Sequence, residues 1–302
     1  MEILSTSTLE ETIAALLGED RQIVNKRPLL GGDINDSYCL SLSDGTTIFM
    51  KCNALKNLPF FEAEVKGLEA LGQTDTIGVP KVLGFGIDKA QKTSFLLMEY
   101  LEAAPKVSGY WEVFGRELAA LHQADCYNFA AADSNLPFGF KTDNYIGASI
   151  QTNTPKENWL DFFRDCRLLP QIKMAKRYFD LKMHKQTIKL LDHLDSYLVE
   201  PEFPSLLHGD LWSGNAVCGP DGKAWILDPA VYVGHFEAEL AMTELFGGFP
   251  PSFYRAYHEV KRIDSGYQDR KDLYNLYHLL NHLNLFGASY LDVVQRILNR
   301  YG

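Results

Sequence analysis

The stretch His208-Gly209-Asp210-Leu211-Trp212-Ser213-Gly214-Asn215 places an aspartate and an asparagine five residues apart in a glycine-rich run. Thirteen residues after Asn215, Asp228 follows the apolar run Ala224-Trp225-Ile226-Leu227. A carboxylate such as Asp210 can accept a proton from a hydroxyl or orient it, and Mg²⁺ favours carboxylate and amide oxygens. The pattern therefore predicts phosphoryl transfer to a hydroxyl, with Asp210 as the base and Asn215 and Asp228 as magnesium ligands.

Two further residues are predicted to support this loop. An isolated Asp-x4-Asn would more often cap a turn, but the whole run and the strand that precedes Asp228 favour the chemical interpretation. His208 is expected to position the loop rather than to act as a base. Glu239, in a helix predicted from Glu237 to Met242, is expected to hold the loop backbone; the alternative is a solvated carboxylate at the start of a helix.

Lys51 and Glu64 form a candidate ion pair in the first hundred residues. Lys51 follows the strand-like run Thr46-Thr47-Ile48-Phe49-Met50, where it could bind the α- and β-phosphates of a nucleotide. Glu64 falls between Phe61 and Leu68 on the apolar face of a predicted helix, where an unpaired carboxylate is costly. We therefore predict that Glu64 pairs with Lys51; in the alternative, Glu62 faces inward and Lys51 is solvated.

Two other segments are candidates for nucleotide binding. Gly31, Gly32 and Asp33 lie in a loop between two strand-like segments, and glycines let backbone amides approach phosphate closely. This motif is weak, because a plain hairpin turn would have the same composition. Glu99, Tyr100 and Leu101 follow a later strand, where the backbone could hydrogen-bond to adenine.

The pattern of apolar residues divides the chain in two. The first hundred residues are strand-rich with one helix, whereas the chain beyond Glu102 is mostly helical in spacing. We predict an α+β, two-lobed fold with a small β-rich N-terminal lobe and a larger, mainly helical C-terminal lobe. The offset from Asp210 to Asn215 is that of the protein-kinase catalytic loop, so the fold is expected to be protein-kinase-like. Residues 1–101 would bind the nucleotide, and residues 102–302 would carry the catalytic loop and the acceptor site.

Composition narrows the class of protein. The 302 residues include 29 basic and 39 acidic ones, for a net charge of −10, which disfavours binding to nucleic acid or to an anionic membrane. Five scattered cysteines without a C-x-x-C pair indicate a reducing compartment. With no signal-peptide pattern and no apolar stretch long enough to span a membrane, the expected location is the cytoplasm.

The run from His208 to Asn215, with Trp212 inside it, resembles the signature of the fructosamine kinases, or ketosamine-3-kinases. That family is similar in fold to aminoglycoside phosphotransferases and choline kinases. Matches extend along nearly the whole chain. They are Gly31-Gly32-Asp33-Ile34-Asn35, Phe138-Gly139-Phe140, Asp143-Asn144-Tyr145-Ile146-Gly147, Asp228-Pro229-Ala230, Glu237-x-Glu239-Leu240-Ala241-Met242, Leu245-Phe246-Gly247-Gly248-Phe249 and Asn284-Leu285-Phe286-Gly287.

The resemblance implies ATP- and Mg²⁺-dependent phosphorylation of the sugar 3-hydroxyl of a ketosamine, a reaction of the deglycation or repair type. The acceptor would be a small ketosamine or a glycated amine or protein. The resemblance also makes Trp212 a wall of the acceptor pocket, since an aromatic face suits a sugar or a cationic amine. The alternative for Trp212 is a core residue beside the loop.

The sequence departs from the family pattern at three positions. Asp33 stands where some relatives carry a cysteine, so a thiol switch there is not expected. Phe236 replaces a more usual arginine, and Glu239 replaces a common aspartate. Two other functions remain open: a kinase of the same fold with an aminoglycoside, choline-like alcohol or homoserine as acceptor, and a nucleotide-binding pseudokinase.

Overall fold

The computed structural model describes the backbone of residues 4–6 and the residues 8–29, 34–130 and 135–302. Within these residues no helix has both the length and the apolar character needed to cross a lipid bilayer.

The chain forms two compact units. Unit one comprises Met1–Val107 and Val217–Leu227, and unit two comprises Ser108–Ala216 and Asp228–Gly302. The second segment of unit one is tied to the first by a parallel bridge between Gly78 and Trp225. The assignment of nucleotide binding to residues 1–101 and acceptor binding to residues 102–302 stays a prediction.

In its described residues, unit one contains a six-stranded sheet and two α-helices. Its elements are β1 (Leu4–Thr6), α1 (Leu9–Leu17), β2 (Ile23–Leu29), β3 (Asp36–Leu42), β4 (Thr47–Ala54), a 3₁₀ turn (Leu55–Asn57), α2 (Leu58–Gly72), β5 (Val82–Asp88), β6 (Thr93–Glu99), β10 (which begins at Ala216 and ends at Cys218) and β11 (Ala224–Ile226). The strand order is β1-β5-β6-β4-β3-β2, with β1 parallel to β5 and the other neighbours antiparallel. β3 and β4 form an antiparallel hairpin around Ser43-Asp44-Gly45.

The two faces of this sheet pack against different helices, because successive side chains of a strand point to opposite faces. Ile48 and Met50 of β4 belong to the core that includes α1. Phe49 packs with the core of α2, and Lys51 therefore points to the same face as Phe49. Lys51 lies inside β4, three residues before its end, so it is not the solvated strand-end lysine of the alternative interpretation.

Unit two is mainly helical. Its helices are α3 (Tyr110–Leu121), α4 (Trp159–Phe162), a π-helical segment (Phe163–Leu168), α5 (Leu169–Ala175), α6 (Leu181–Asp192), α7 (Phe236–Leu245), α8 (Pro251–Val260), α9 (Tyr267–Phe286) and α10 (Leu291–Tyr301). Short 3₁₀ turns lie at Lys176–Tyr178, Leu194–Ser196, Ser213–Asn215 and Ala288–Tyr290. Its strand pairs are β7 (Asn144–Ile146) with β8 (Ser149–Gln151), and β9 (Ser205–Leu207) with β12 (Tyr232–Gly234). The α+β class predicted from the sequence is confirmed.

Helices α3 and α8 approach each other closely at Gly115. A Cβ atom built on Gly115 would overlap the carbonyl oxygen of Phe253, so only glycine allows this contact. Gly72, at the end of α2, is a helical glycine with open space around it, since no atom lies within 4 Å of an added Cβ.

We expect Gly115→Ala to lower the free energy of unfolding by about 1–3 kcal/mol, because overpacking outweighs the higher helix propensity of alanine. The matched change Gly72→Ala should raise it by about 0.5–1 kcal/mol, since alanine favours the helix and meets no atom there. Urea unfolding of both variants measures the difference. A gain in stability from Gly115→Ala would contradict the close packing of α3 and α8.

Two buried histidines make the stability of unit two sensitive to pH. Burial, together with the nearby cations Arg270 and Lys261, lowers the pKa of His235 from 6.5 to about 3. Burial also lowers the pKa of His278 from 6.5 to about 3. Because both folded-state pKa values lie below the unfolded value, each neutral ring contributes stability that is complete above pH 6.5 and is lost as the pH falls toward 3.

At pH 5 each ring should therefore have lost up to about 2 kcal/mol of that stability. We expect His278→Gln, and His235→Asn, to reduce the slope of unfolding free energy against pH between pH 7 and 5. Asparagine at 235 keeps an acceptor for the Glu237 amide, which His235 Nδ1 binds at 3.1 Å. Urea titrations at each pH measure the slope; an unchanged slope in both variants would refute the assignment.

Candidate active site

The loop that begins at His208 is anchored by two strands of unit two. Leu207, the last residue of β9, pairs with Tyr232 of β12. Beyond this pair, the Ala230 amide donates to the His208 carbonyl at 2.8 Å. Gly209 has a φ of 83°, and a Cβ there would overlap the Ala230 carbonyl oxygen. Glycine is therefore required at 209 both by the left-handed backbone and by the close approach of residue 230.

The carboxylate of Glu239, on α7, binds the backbone of this loop. Oε1 accepts from the Gly209 amide at 2.7 Å, and Oε2 accepts from the His208 amide at 3.1 Å. Oε2 also contacts His122 Nε2 at 2.8 Å, and His122 Nδ1 contacts the Tyr257 hydroxyl at 2.7 Å. Burial by itself would raise the pKa of Glu239, but hydrogen bonds and charge from His122, with the Gly209 amide, lower it, so the carboxylate is ionised.

Asp210 and Asn215 lie together, as their spacing suggested. Asn215 Nδ2 donates to the Asp210 carbonyl at 2.8 Å and lies 3.3 Å from its Oδ2. The 3₁₀ turn Ser213–Asn215 returns Asn215 to Asp210, and the backbone N–H of Asn215 donates to the Trp212 carbonyl at 3.0 Å. His208 is fully buried, and its Nδ1 accepts from the Asp210 amide at 3.3 Å.

Asp228 is the second carboxylate of this centre. It is exposed, it lies two residues beyond the end of β11, and its φ is 57°. Burial, and then the charge of Asp228, raise the pKa of Asp210 to about 8, while the Asn215 hydrogen bond opposes the shift. The two carboxylates are therefore close enough to repel each other.

Trp212 is on the surface rather than in the core. The residue is 37% exposed, and its ring covers Gly214, where an added Cβ would overlap it. The Phe246 ring meets it edge-on at a centroid distance of 6.1 Å, and the His282 ring lies beyond Phe246 at 4.7 Å, tilted by 44°. An exposed aromatic wall thus adjoins the Asp210 loop.

Unit one contains the predicted Lys51–Glu64 pair. Lys51 Nζ lies 2.5 Å from Glu64 Oε1, and both side chains are largely buried, at 7% and 12% exposure. Glu62 instead pairs with Lys66 on the surface of α2, at 3.0 Å. Of the two alternatives for this helix, the structure therefore has Glu64 facing the sheet.

The remaining nucleotide candidates are only partly described. Gly31, Gly32 and Asp33 lie outside the described residues. β6 ends at Glu99, so the main chain of Tyr100 and Leu101 continues beyond the sheet. The Glu99 side chain accepts a hydrogen bond from the Lys81 amide at 2.6 Å. The predicted contact of Glu99 with adenine would therefore be made by its backbone.

His122 and the surroundings of Phe236 belong to the site but were not predicted from the sequence. His122 directly follows α3, 117 residues before Glu239, and nothing in the local sequence signals the contact. Phe236 stands where the family usually has arginine; its ring lies 4.3 Å from Lys261 Nζ, so a cation still lies beside position 236. Burial lowers the pKa of this lysine to about 8.

Comparison with known proteins gives a consistent result. The family model for fructosamine kinase matches residues 5–301. A probable ketoamine kinase of Synechocystis sp. is 39% identical, over 97% of this chain and 95% of its own length. The crystal structure of a proposed fructosamine-3-kinase of Thermobifida fusca is 33% identical, with a TM-score of 0.81 and coverage of 97% and 98%.

A macrolide 2′-phosphotransferase of Brachybacterium faecium shares the fold alone, with 14% identity, a TM-score of 0.60 and coverage of 96% of both chains. The kinase-like fold predicted from the sequence is confirmed by these neighbours.

Replacing Glu239 by glutamine should destabilise the protein by about 1–3 kcal/mol, because an amide cannot accept from both backbone N–H groups and His122 at once. The amides of His208 and Gly209 should also exchange hydrogen faster. The control is Glu259→Gln, which removes an exposed carboxylate, 58% accessible and paired with Arg116, and should change stability by less than about 1 kcal/mol. Equal effects of the two changes on stability and exchange would refute the anchoring role.

Proposed function

The chain belongs to the fructosamine kinase family, and from this membership we propose that it transfers the γ-phosphoryl group of ATP to the sugar 3-hydroxyl of a ketosamine. The observation that carries the proposal is the Asp210 carboxylate, held by Asn215 beside Asp228 on a loop anchored by Glu239. Small ketosamines and glycated amines are the expected acceptors, and the cytoplasm is the expected location.

Asp210 is assigned the role of base. Phosphoryl transfer through a loose transition state requires mainly that the hydroxyl be oriented and its proton accepted. The Asn215 amide restrains the carboxylate, and burial together with Asp228 raises its pKa to about 8, so its ionised form is a stronger base than an ordinary aspartate. A cation bound at Asp228 would favour that ionised form. His208 supports the loop backbone through its bond to the Asp210 amide, and no proton transfer is assigned to it.

Asn215 and Asp228 are assigned to Mg²⁺. Because Asn215 Nδ2 donates to Asp210, the amide oxygen is the atom available to a cation. The described residues contain no group of three or more His, Cys, Asp or Glu side chains suited to a metal. The two oxygen donors Asn215 and Asp228 fit Mg²⁺, which binds through one or two protein oxygens and completes its shell with water and phosphate. When bound, the ion would neutralise charge on the phosphates.

Unit one is assigned to the nucleotide. The buried Lys51 ammonium, oriented by Glu64, would bind the α- and β-phosphates, and the backbone of Gly31, Gly32 and Asp33 would cover them. The main chain at Glu99, Tyr100 and Leu101 would hydrogen-bond to adenine. Of these contacts, only that of Lys51, with its partner Glu64, requires particular side chains; the others would be made by the backbone.

Trp212 is assigned to the acceptor. Its exposed ring adjoins the Asp210 loop, and Phe246 and His282 extend the wall away from that loop. Such a wall suits the C–H face of a sugar and the amine next to it, since a cation above an aromatic face gains about 0.5–2 kcal/mol.

We expect ADP release with fructoselysine or a ribulosamine, dependent on Mg²⁺, and phosphate on O3 by ³¹P nuclear magnetic resonance. The 3-deoxy analogue should bind without turnover, because it lacks the acceptor hydroxyl. Aminoglycosides, choline and homoserine serve as competing acceptors in the same assay. Preference for one of these, or no turnover of any ketosamine, would contradict the proposed acceptor.

Asp210→Asn should lower kcat by about 10²–10⁴-fold, because it removes the proton acceptor while keeping the shape of the side chain. Its control is Asp125→Asn, an exposed aspartate of the same unit, which should leave kcat unchanged. Full activity in Asp210→Asn would show that another group orients the hydroxyl.

A further inference from the structure

Two buried side-chain amides face each other across the β7–β8 hairpin. Asn144 and Gln151 are directly paired in its register, and both are almost fully buried, at 4% and 1% exposure. The register is set by a loop of two residues that begins at Gly147, whose φ of 59° suits glycine. Opposed residues of a hairpin point to the same face, so both amides point to one target.

The target is the backbone directly after Asp228. Asn144 Nδ2 donates to the Val231 carbonyl at 2.7 Å, and Gln151 Nε2 donates to the Ala230 carbonyl at 2.9 Å. Each amide thus fixes one of two consecutive peptide groups, 79 to 87 residues away in sequence.

The remaining polar atoms of the two amides are held by their neighbours. Asn144 Oδ1 accepts from Gln151 Nε2 at 2.7 Å and from Asn153 Nδ2 at 2.9 Å. Gln151 Oε1 accepts from the Tyr277 hydroxyl at 2.7 Å. These contacts determine which end of each amide is the donor, so neither side chain can rotate without leaving a buried group unpaired.

The side chain of Asn153 is in turn held by the buried Arg167. Arg167 Nη2 donates to Asn153 Oδ1 at 2.8 Å, and its guanidinium lies 3.9 Å from the centre of the Tyr232 ring. The network therefore begins in the π-helical segment and ends at the carbonyls of Ala230 and Val231. Among the described residues, the hydrogen bonds of this network end at these two carbonyls, although Tyr277 lies close enough to Asp210 for that charge to add to burial in raising the pKa of the Tyr277 hydroxyl.

Asp228 needs such support. A φ of 57° is uncommon for a residue with a side chain, and Pro229 restricts the preceding residue further. A residue in such a conformation persists only where its surroundings determine it, and these residues cluster at functional sites. Ala230 is accordingly held on both sides, since its amide donates to His208 and its carbonyl accepts from Gln151.

We propose that Asn144 and Gln151 are positioning residues for Asp228: by holding the Ala230 and Val231 carbonyls, they keep the Asp228 carboxylate beside Asp210, where it can bind the nucleotide-bound cation. This inference rests on the proposed assignment of Asp228 to the metal. It does not depend on which acceptor is phosphorylated.

The test compares ADP binding with and without Mn²⁺, a probe for the magnesium position, by calorimetry on the full-length protein without acceptor. Gln151→Met and Asn144→Leu replace each amide by an apolar group of similar size. We expect each to weaken Mn²⁺·ADP binding by about tenfold or more, and metal-free ADP binding to stay as in the wild type. The combined variant should lose less than the sum, because both act on one segment.

The matched control is Asn281→Leu, which removes a buried amide bonded to Gln171 and to the Ile146 carbonyl of the same hairpin. It leaves in place the bonds of Asn144 and Gln151 to the Val231 and Ala230 carbonyls. It should lower stability without changing the effect of Mn²⁺. Gln151→Asn keeps the amide but shortens the side chain by one methylene, and it provides a milder variant if Gln151→Met does not fold.

Wild-type enhancement of ADP binding by Mn²⁺ in folded Gln151→Met, or in Gln151→Asn, would overturn the inference. An equal loss of enhancement in Asn281→Leu would also overturn it, because the effect would then follow from general destabilisation. If Mn²⁺ does not strengthen ADP binding to the wild-type protein, the metal assignment of the proposed function fails, and the inference fails with it. That result is seen before any variant is made.

Discussion

The buried carboxylate of Glu239 is the contact on which the candidate active site depends. Two consecutive backbone amides of the 208–215 loop donate to it, and His122 binds the same oxygen that His208 does. An ionised carboxylate is costly to bury unless its oxygens are hydrogen-bonded, so this arrangement is stable only when all three partners are in place. The backbone next to Asp210 is thereby held in place by Glu239 of α7 and by His122 at the end of α3.

The helix that carries Glu239 is itself held by charge. Arg270 of α9 binds Glu237 through two short contacts, 2.7 and 2.8 Å, both within the core of unit two. Paired in this way, the buried charges stabilise each other, whereas loss of one partner would leave the other uncompensated. Position 236, where the family usually has arginine, is apolar here, and Lys261 lies over its ring. Lys261 thus places a cation against α7 at position 236.

The centre gathers negative charge. Burial raises the pKa of Asp210, and the charges of Asp228 and then of Glu239 raise it further. Asp228 also lies in a left-handed backbone conformation that a residue with a side chain seldom adopts. Both features are unfavourable for folding by itself and favourable for binding a cation, which offsets the repulsion when it is present. The proposed function accounts for both by assigning Asp228 to magnesium.

The sequence alone determined those features that follow from local periodicity and spacing. Alternation along β4 and the helical period of α2 brought Lys51 and Glu64 to facing surfaces, and five-residue spacing was enough to return Asn215 to Asp210. The α+β class followed in the same way, whereas β4 continues three residues beyond Lys51, past the end of the strand predicted from the sequence. The tertiary structure alone decided that His122 meets Glu239 and that Asn144 and Gln151 hold the chain after Asp228. These contacts join residues 79 to 117 positions apart, and an amide or imidazole has no local pattern that identifies its distant partner.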